Sequence, residues 1–122
     1  MINFTDKIVV LTGDSRGIGK TIKEKLEESG ATVKGFSSEN VDLTDKKQIK
    51  DFSDFLRNFD KIDVCINNAG IIYSSKIEEH NITRDKYEKL MNINLTAPLE
   101  IASACSEVMR KNNYGRIVNI AS

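Results

Sequence analysis

Apolar residues along the chain fall alternately into short unbroken runs and into four-residue spacings. Lys7-Ile8-Val9-Val10-Leu11-Thr12 is β-branched and apolar with no polar alternation, which predicts a strand buried on both faces. Ile18, Ile22 and Leu26 follow at intervals that place them on one helical face. Gly30 ends that helix, residues 31–36 read as a second strand, and Val41-Asp42-Leu43 reads as a short third. Thr44 is placed to cap a helix with Asp45 in its first turn and Ile49, Phe52, Leu56 and Phe59 as its apolar stripe. Residues 62–66 predict a fourth strand and residues 67–82 a loop around Gly70. Residues 83–112 carry a helical pattern interrupted near Pro98; Tyr114-Gly115 breaks it, and residues 116–121 predict a fifth strand.

Strands alternating with helices predict a parallel sheet with right-handed crossovers. The expected fold class is therefore α/β, a doubly wound parallel sheet of about five strands with flanking helices. No repeat, low-complexity stretch or linker divides the chain, so residues 1–122 are read as a single domain.

Composition narrows the function classes. Lys plus Arg number 18 and Asp plus Glu 18, which argues against a dedicated nucleic-acid binder. No apolar run approaches the roughly 20 residues of a membrane helix, and the first residues lack a signal-peptide pattern. Cys65 and Cys105 are far apart with no CxxC, and read as buried free thiols of a cytoplasmic protein. His80, in a polar stretch, reads as a surface residue with no metal spacing beside it.

The chemistry-bearing motif lies between the first strand and the first helix: Thr12-Gly13-Asp14-Ser15-Arg16-Gly17-Ile18-Gly19. Glycines there let the backbone approach a pyrophosphate, toward which the helix N-terminus points its N–H groups. This TGxxxGIG pattern resembles the signature of the short-chain dehydrogenase/reductase family, and four later motifs agree in order. Val41-Asp42-Leu43-Thr44 resembles the segment whose Asp accepts from the adenine amino group, and Asn67-Asn68-Ala69-Gly70 the family's NNAG. Asn92-Ile93-Asn94-Leu95 is similar to the helix bearing the catalytic Asn, which falls on Asn94. Residues 115–122 resemble the strand that ends at the catalytic serine, placed here at Ser122.

The resemblance implies a Rossmann-like domain that binds NAD(P)(H) through Gly13, Ser15, Arg16, Gly17, Ile18 and Gly19. Ser37, Asp42, Leu43, Asn68, Ala69 and Gly70 complete the implied cofactor set, with no metal site. Pro98 removes its own N–H and releases the carbonyl of Asn94 from the helical ladder. Two readings stand for it: the family's water-holding kink, or a simple helix boundary at Asn94.

An acid at the end of the second strand would bind a ribose 2′-hydroxyl and repel a 2′-phosphate. Ser37 stands there, while Arg16 resembles the 2′-phosphate contact of NADP-preferring members. Glu39 lies close enough to blur the choice; NADP(H) is favoured over NAD(H). The family's Tyr-xxx-Lys pair is absent: Tyr73, Tyr87 and Tyr114 belong to no such arrangement and read as packing or loop residues. The expectation is an N-terminal portion of an oxidoreductase about twice as long, acting on a small carbonyl or alcohol substrate and forming a homo-oligomer. The alternative is a catalytically silent nucleotide-binding or interaction module. The fifth strand is expected to leave an apolar sheet edge prone to pairing with another chain.

Overall fold

Val9, Val10 and Leu11 are all wholly buried, and because neighbouring strand residues point to opposite faces, both faces of their strand must be covered. The computed structural model, which describes residues 3–71 and 82–120, shows how. Its elements run β1 (Ile8–Thr12), α1 (Gly17–Glu28), β2 (Thr32–Phe36), α2 (Lys46–Arg57), β3 (Val64–Asn67), α3 (Arg84–Met91), a π-helical segment (Asn92–Thr96), α4 (Ala97–Lys111) and β4 (Arg116–Asn119). The strands form one parallel sheet in the order β2-β1-β3-β4. On one face Val9, Leu11, Val33 and Ile66 meet Ile22 and Leu26 of α1. On the other, Val10 and Cys65 meet Ile49, Phe52 and Leu56 of α2 and Ile101, Ala104 and Val108 of α4. Rossmann-like α/β layering follows from these two cores.

Register is set by the pairs Leu11 with Gly35 and Leu11 with Ile66, which align the C-terminal ends of β1, β2 and β3. At the opposite end, Asp63 anchors β1 to β3: its buried carboxylate accepts from the Ile8 N–H at 2.8 Å and from the Lys61 ammonium at 3.1 Å. Arg57 ties α2 to α4 through Glu107 at 2.6 Å.

Four expectations are corrected. Residues 41–43 form no strand, so the sheet has four strands among the described residues rather than about five. A parallel neighbour for β2 needs a crossover of about a dozen residues or more, and residues 37–45 are too few. They turn instead at Ser37, whose N–H donates to the Asn40 side chain at 2.8 Å. Leu43 is apolar because it packs into the α2–α4 core, not because it lies in a ladder. Thr44 does not cap α2; its hydroxyl donates to Asp42 at 2.6 Å, and Asp45 is the cap, accepting from the Lys47 N–H. The strand expected from Ile62 begins at Val64, although Ile62 is itself buried. Strand β4 ends at Asn119, with the Ile120 N–H still bonded to Asn67; the expected last strand residue, Ala121, lies outside the described residues.

Among the described residues β2 and β4 are the two sheet edges, and Ile117 and Val118 of β4, with Ile120 just after it, are each about two-fifths exposed. An apolar open edge is a template for pairing. Sedimentation of these 122 residues is expected to show concentration-dependent association that Val118→Lys reduces; a monodisperse monomer at all concentrations would contradict it.

Candidate functional site

The C-terminal ends of β1 and β3 are fastened by one hydroxyl. Thr12 is buried, and its Oγ1 accepts from the N–H groups of both Asn68 and Ala69, each at 3.1 Å. The Gly13 N–H reaches across to the Phe36 carbonyl at 2.7 Å, which ties in β2. The Asn68 amide donates to the Gly13 carbonyl at 3.0 Å, so the start of the glycine loop is held from two strands.

Helix α1 then approaches this loop as closely as backbone permits. A Cβ placed on Gly19 would collide with the Gly13 carbonyl oxygen and with the Asn68 amide. Gly17, the first residue of α1, has φ +58°, a conformation that side chains rarely adopt. Arg16 precedes it in extended backbone, no side chain caps the helix, and the first turn holds no acid. The N–H groups of that turn therefore have no capping side chain, and the positive end of the helix dipole is uncompensated by an acid in the first turn. Ile18 is 64% exposed beside them. Ser15 and Ser37 share the wall of a groove of about 360 Å³ between α1 and the Ser37–Asn40 turn.

Asp42 lies in the turn that leads from β2 to α2. Its Oδ1 accepts from the Thr44 hydroxyl at 2.6 Å and the Thr44 N–H at 3.0 Å, and its own N–H donates to Gln48 at 2.8 Å. The Thr44 hydroxyl, then the Thr44 N–H, hold its carboxyl below the usual carboxylate range. Leu43 next to it turns its side chain into the core, so it offers only backbone to any ligand.

Pro98 follows a widened turn rather than a helix end. The Ala97 N–H bonds to the Asn92 carbonyl, five residues back, and the helical course continues into α4. The boundary reading of Asn94 is thereby replaced by a π-helical bulge, a distortion proline produces by withdrawing a donor. Asn94 projects from that bulge onto the chain after β3: its amide donates to the Ile71 carbonyl at 2.7 Å and its Oδ1 accepts the Ile71 N–H at 3.0 Å. A Cβ on Gly70 would meet that Oδ1 at 2.9 Å, so glycine lets Asn94 close on the strand end.

Gly13, Gly19, Asn68 and Ala69 thus form one contact group, and Gly70 with Asn94 a second beside it. Ser15 and Ser37 share a groove, Arg16 immediately precedes α1, and Asp42 lies in the turn between β2 and α2. Ser122, Tyr73 and His80 lie outside the described residues. Three residues of the site escaped the sequence reading. Asn92 is buried and its amide donates to the Thr44 carbonyl at 2.8 Å, joining the bulge to the Asp42 turn. Asn67 is buried and donates to the Pro98 carbonyl at 3.2 Å and the Asn119 side chain at 3.0 Å. Asp14 lies against Gly35 of β2 with Lys23 at 3.9 Å. Only tertiary contact distinguishes these from ordinary polar residues.

Comparison with known proteins agrees with this geometry. Residues 34–122 match the family model for short chain dehydrogenases. The chain is 30% identical, over 95% of its length and 55% of the relative's, to the 3-oxoacyl-acyl-carrier-protein reductase of Haemophilus influenzae. It resembles the crystal structure of a bulky-bulky ketone specific alcohol dehydrogenase from Comamonas testosteroni (TM-score 0.77, 27% identity, 95% of this chain and 55% of that one). It also resembles a short-chain dehydrogenase from Sphingobium yanoikuyae in complex with NADPH (TM-score 0.78, 28% identity, 95% and 54%). The chain spans about half the length of the curated relatives it matches.

Two expectations follow from the site's own geometry. Gly19→Ala forces a methyl onto the Gly13 carbonyl, and an overpacked contact of this kind costs about 2 kcal/mol; the urea midpoint is expected to fall accordingly. Because the folded-state pKa of Asp42 is depressed, its stabilisation is full above the ordinary carboxylate range and is lost as pH falls through the lowered value. Stability of the chain and of Asp42→Asn, measured by denaturant titration, should therefore differ at neutral pH and converge at the acid end.

Proposed function

The chain belongs to the short-chain dehydrogenase family, and on that premise we propose that it is the dinucleotide-binding portion of an NAD(P)(H)-dependent oxidoreductase acting on a carbonyl–alcohol pair. The observation that carries the proposal is the contact of Gly13 with Gly19 beneath an uncapped helix start. That cradle would be filled by any side chain at Gly19, and its donors suit a pyrophosphate. Gly13, Ser15, Gly17, Ile18 and Gly19 would hold the pyrophosphate and its riboses. Asn68, Ala69 and Gly70 would flank the ribose at the end of β3, and the backbone of Leu43 with the carboxylate of Asp42 would take the adenine. Both Thr44 bonds fall on Oδ1, and Oδ2 is the acceptor proposed for the adenine amino group.

Once bound, the nicotinamide cofactor would supply or accept the hydride. The chain's own part in the reaction would be orientation: Asn94 grips the segment after β3, and its backbone carbonyl, to which Pro98 offers no N–H, is proposed to hold a relay water. Ser122 is proposed to hydrogen-bond the substrate oxygen. Relatives described as a reductase and a dehydrogenase favour this reading over a silent module.

NADP(H) is proposed as the preferred cofactor. Arg16 is exposed at the entrance of the glycine loop, with no ion pair or side-chain hydrogen bond among the described residues, and Ser37 brings no negative charge to the end of β2. Leu95 and Leu99, 55% and 67% exposed and four residues apart, support a homo-oligomeric contact on the helical side. Burial of Cys65 and Cys105, with hydrogen bonding between them pushing the Cys105 thiol up, suits unreactive thiols in a reducing cytoplasm. No helix among the described residues is long and apolar enough to cross a membrane.

Arg16→Ala is expected to weaken NADPH binding about tenfold, near 1.4 kcal/mol, while NADH binding changes less than about twofold. Fluorescence titration of both reduced cofactors decides it: equal losses would remove Arg16 from the selection, and no binding of either to the unaltered chain would remove the function.

A further inference from the structure

We propose that Asp14, a residue inside the glycine loop, is a specificity-determining residue that opposes the 2′-phosphate and so limits the preference for NADP(H). The inference rests on the dinucleotide-binding reading above. An acid beside the adenosine ribose normally comes from the end of the second strand, where it accepts the 2′-hydroxyl and repels a 2′-phosphate. Strand β2 ends here at Phe36 and Ser37 follows it, so that position carries no charge. The carboxylate arrives from the neighbouring strand's loop instead. A Cβ on Gly35 would overlap the Asp14 carboxylate, its Cγ lying 2.7 Å away. Gly35 is thus the one residue type at that place in β2 that lets Asp14 lie flat against the strand.

Asp14 is held there by packing and by a loose pair. Its side chain is only 14% exposed, and Lys23 Nζ stands 3.9 Å from Oδ2, at the far limit of an ion pair. The groove it shares with Ser15 and Ser37 is also lined by Glu24, Glu27 and Glu39, against which stand Lys20 and Lys23. Four carboxylates face two ammonium groups in a space that a 2′-phosphate would enter. Like charges brought together raise the cost of binding, and Lys23 offsets part of Asp14 but not the whole lining. Arg16, two residues further along the loop and outside that lining, would pull in the opposite direction. Selection between the two dinucleotides is then the difference of two electrostatic terms from residues two positions apart in sequence, not the presence or absence of one acid.

The test titrates NADH and NADPH separately against the full chain, against Asp14→Asn, which keeps the side chain's volume, and against Lys23→Gln, which leaves the carboxylate without its partner. Asp14→Asn is expected to raise the ratio of NADPH to NADH affinity about tenfold, and Lys23→Gln to lower it. An unchanged ratio in Asp14→Asn, with both cofactors still bound, overturns the role of Asp14 and leaves the binding function standing. Should Asp14→Asn unfold by circular dichroism, Lys23→Gln decides: a lowered ratio supports the proposal and an unchanged one overturns it. Binding of neither cofactor to the unaltered chain overturns the dinucleotide reading and this inference together.

Discussion

No side-chain atom fits between Gly13 and Gly19, and the site's architecture depends on that closeness. A loop that leaves one strand and enters a helix ordinarily fills the gap with side chains. Here the helix start is drawn against the Gly13 carbonyl, so its unbonded N–H groups and the ends of three parallel strands converge on one place. The Thr12 hydroxyl and the Asn68 amide keep that place from opening, since each bonds across strands rather than along one. These bonds are shielded by the surrounding chain, where losing a partner costs more than making the bond gains. The start of the glycine loop is consequently tied to both neighbouring strands.

Much of this was legible beforehand because the physical causes are local. An unbroken apolar run such as residues 8–11 has to be covered on two faces, and the spacing of Ile22 and Leu26 in α1 and of Ile49, Phe52 and Leu56 in α2 has to meet a core, whereas Ile18 stays exposed. The glycine loop could be placed because its position between a strand and a helix restricts what glycines can be for. What was misread has local causes too. Val41 and Leu43 look like strand residues in isolation, yet they are apolar for packing against α2 and α4, and the chain between β2 and α2 is too short to come back beside the sheet. Thr44 and Asp45 are both good caps; the hydroxyl that would have capped is engaged by Asp42.

What escaped altogether is long-range. Asp14 looks like a variable position within a glycine motif, and nothing in its neighbours announces that it lies against Gly35 of another strand. Asn67 and Asn92 likewise read as polar residues near a loop and within a helix, though both are buried and donate across elements. Their signal is burial, which a single sequence does not carry for asparagine. The bulge before Pro98 was half visible: proline requires a broken ladder, but whether the helix stops or widens depends on how the next helix packs against the sheet.

The bond from Asn92 to the Thr44 carbonyl makes the two ends of the site one mechanical piece. Asn92 opens the bulge from which Asn94 grips Ile71, and Thr44 holds the carboxylate proposed for the adenine. A base settling against Asp42, as proposed, would therefore press, through one carbonyl and one amide, on the turn that carries Asn94. On that proposal, grip at the adenosine end and aim at the reacting end would share a single hinge pin, and a change that loosens one would be felt at the other without any side chain touching both.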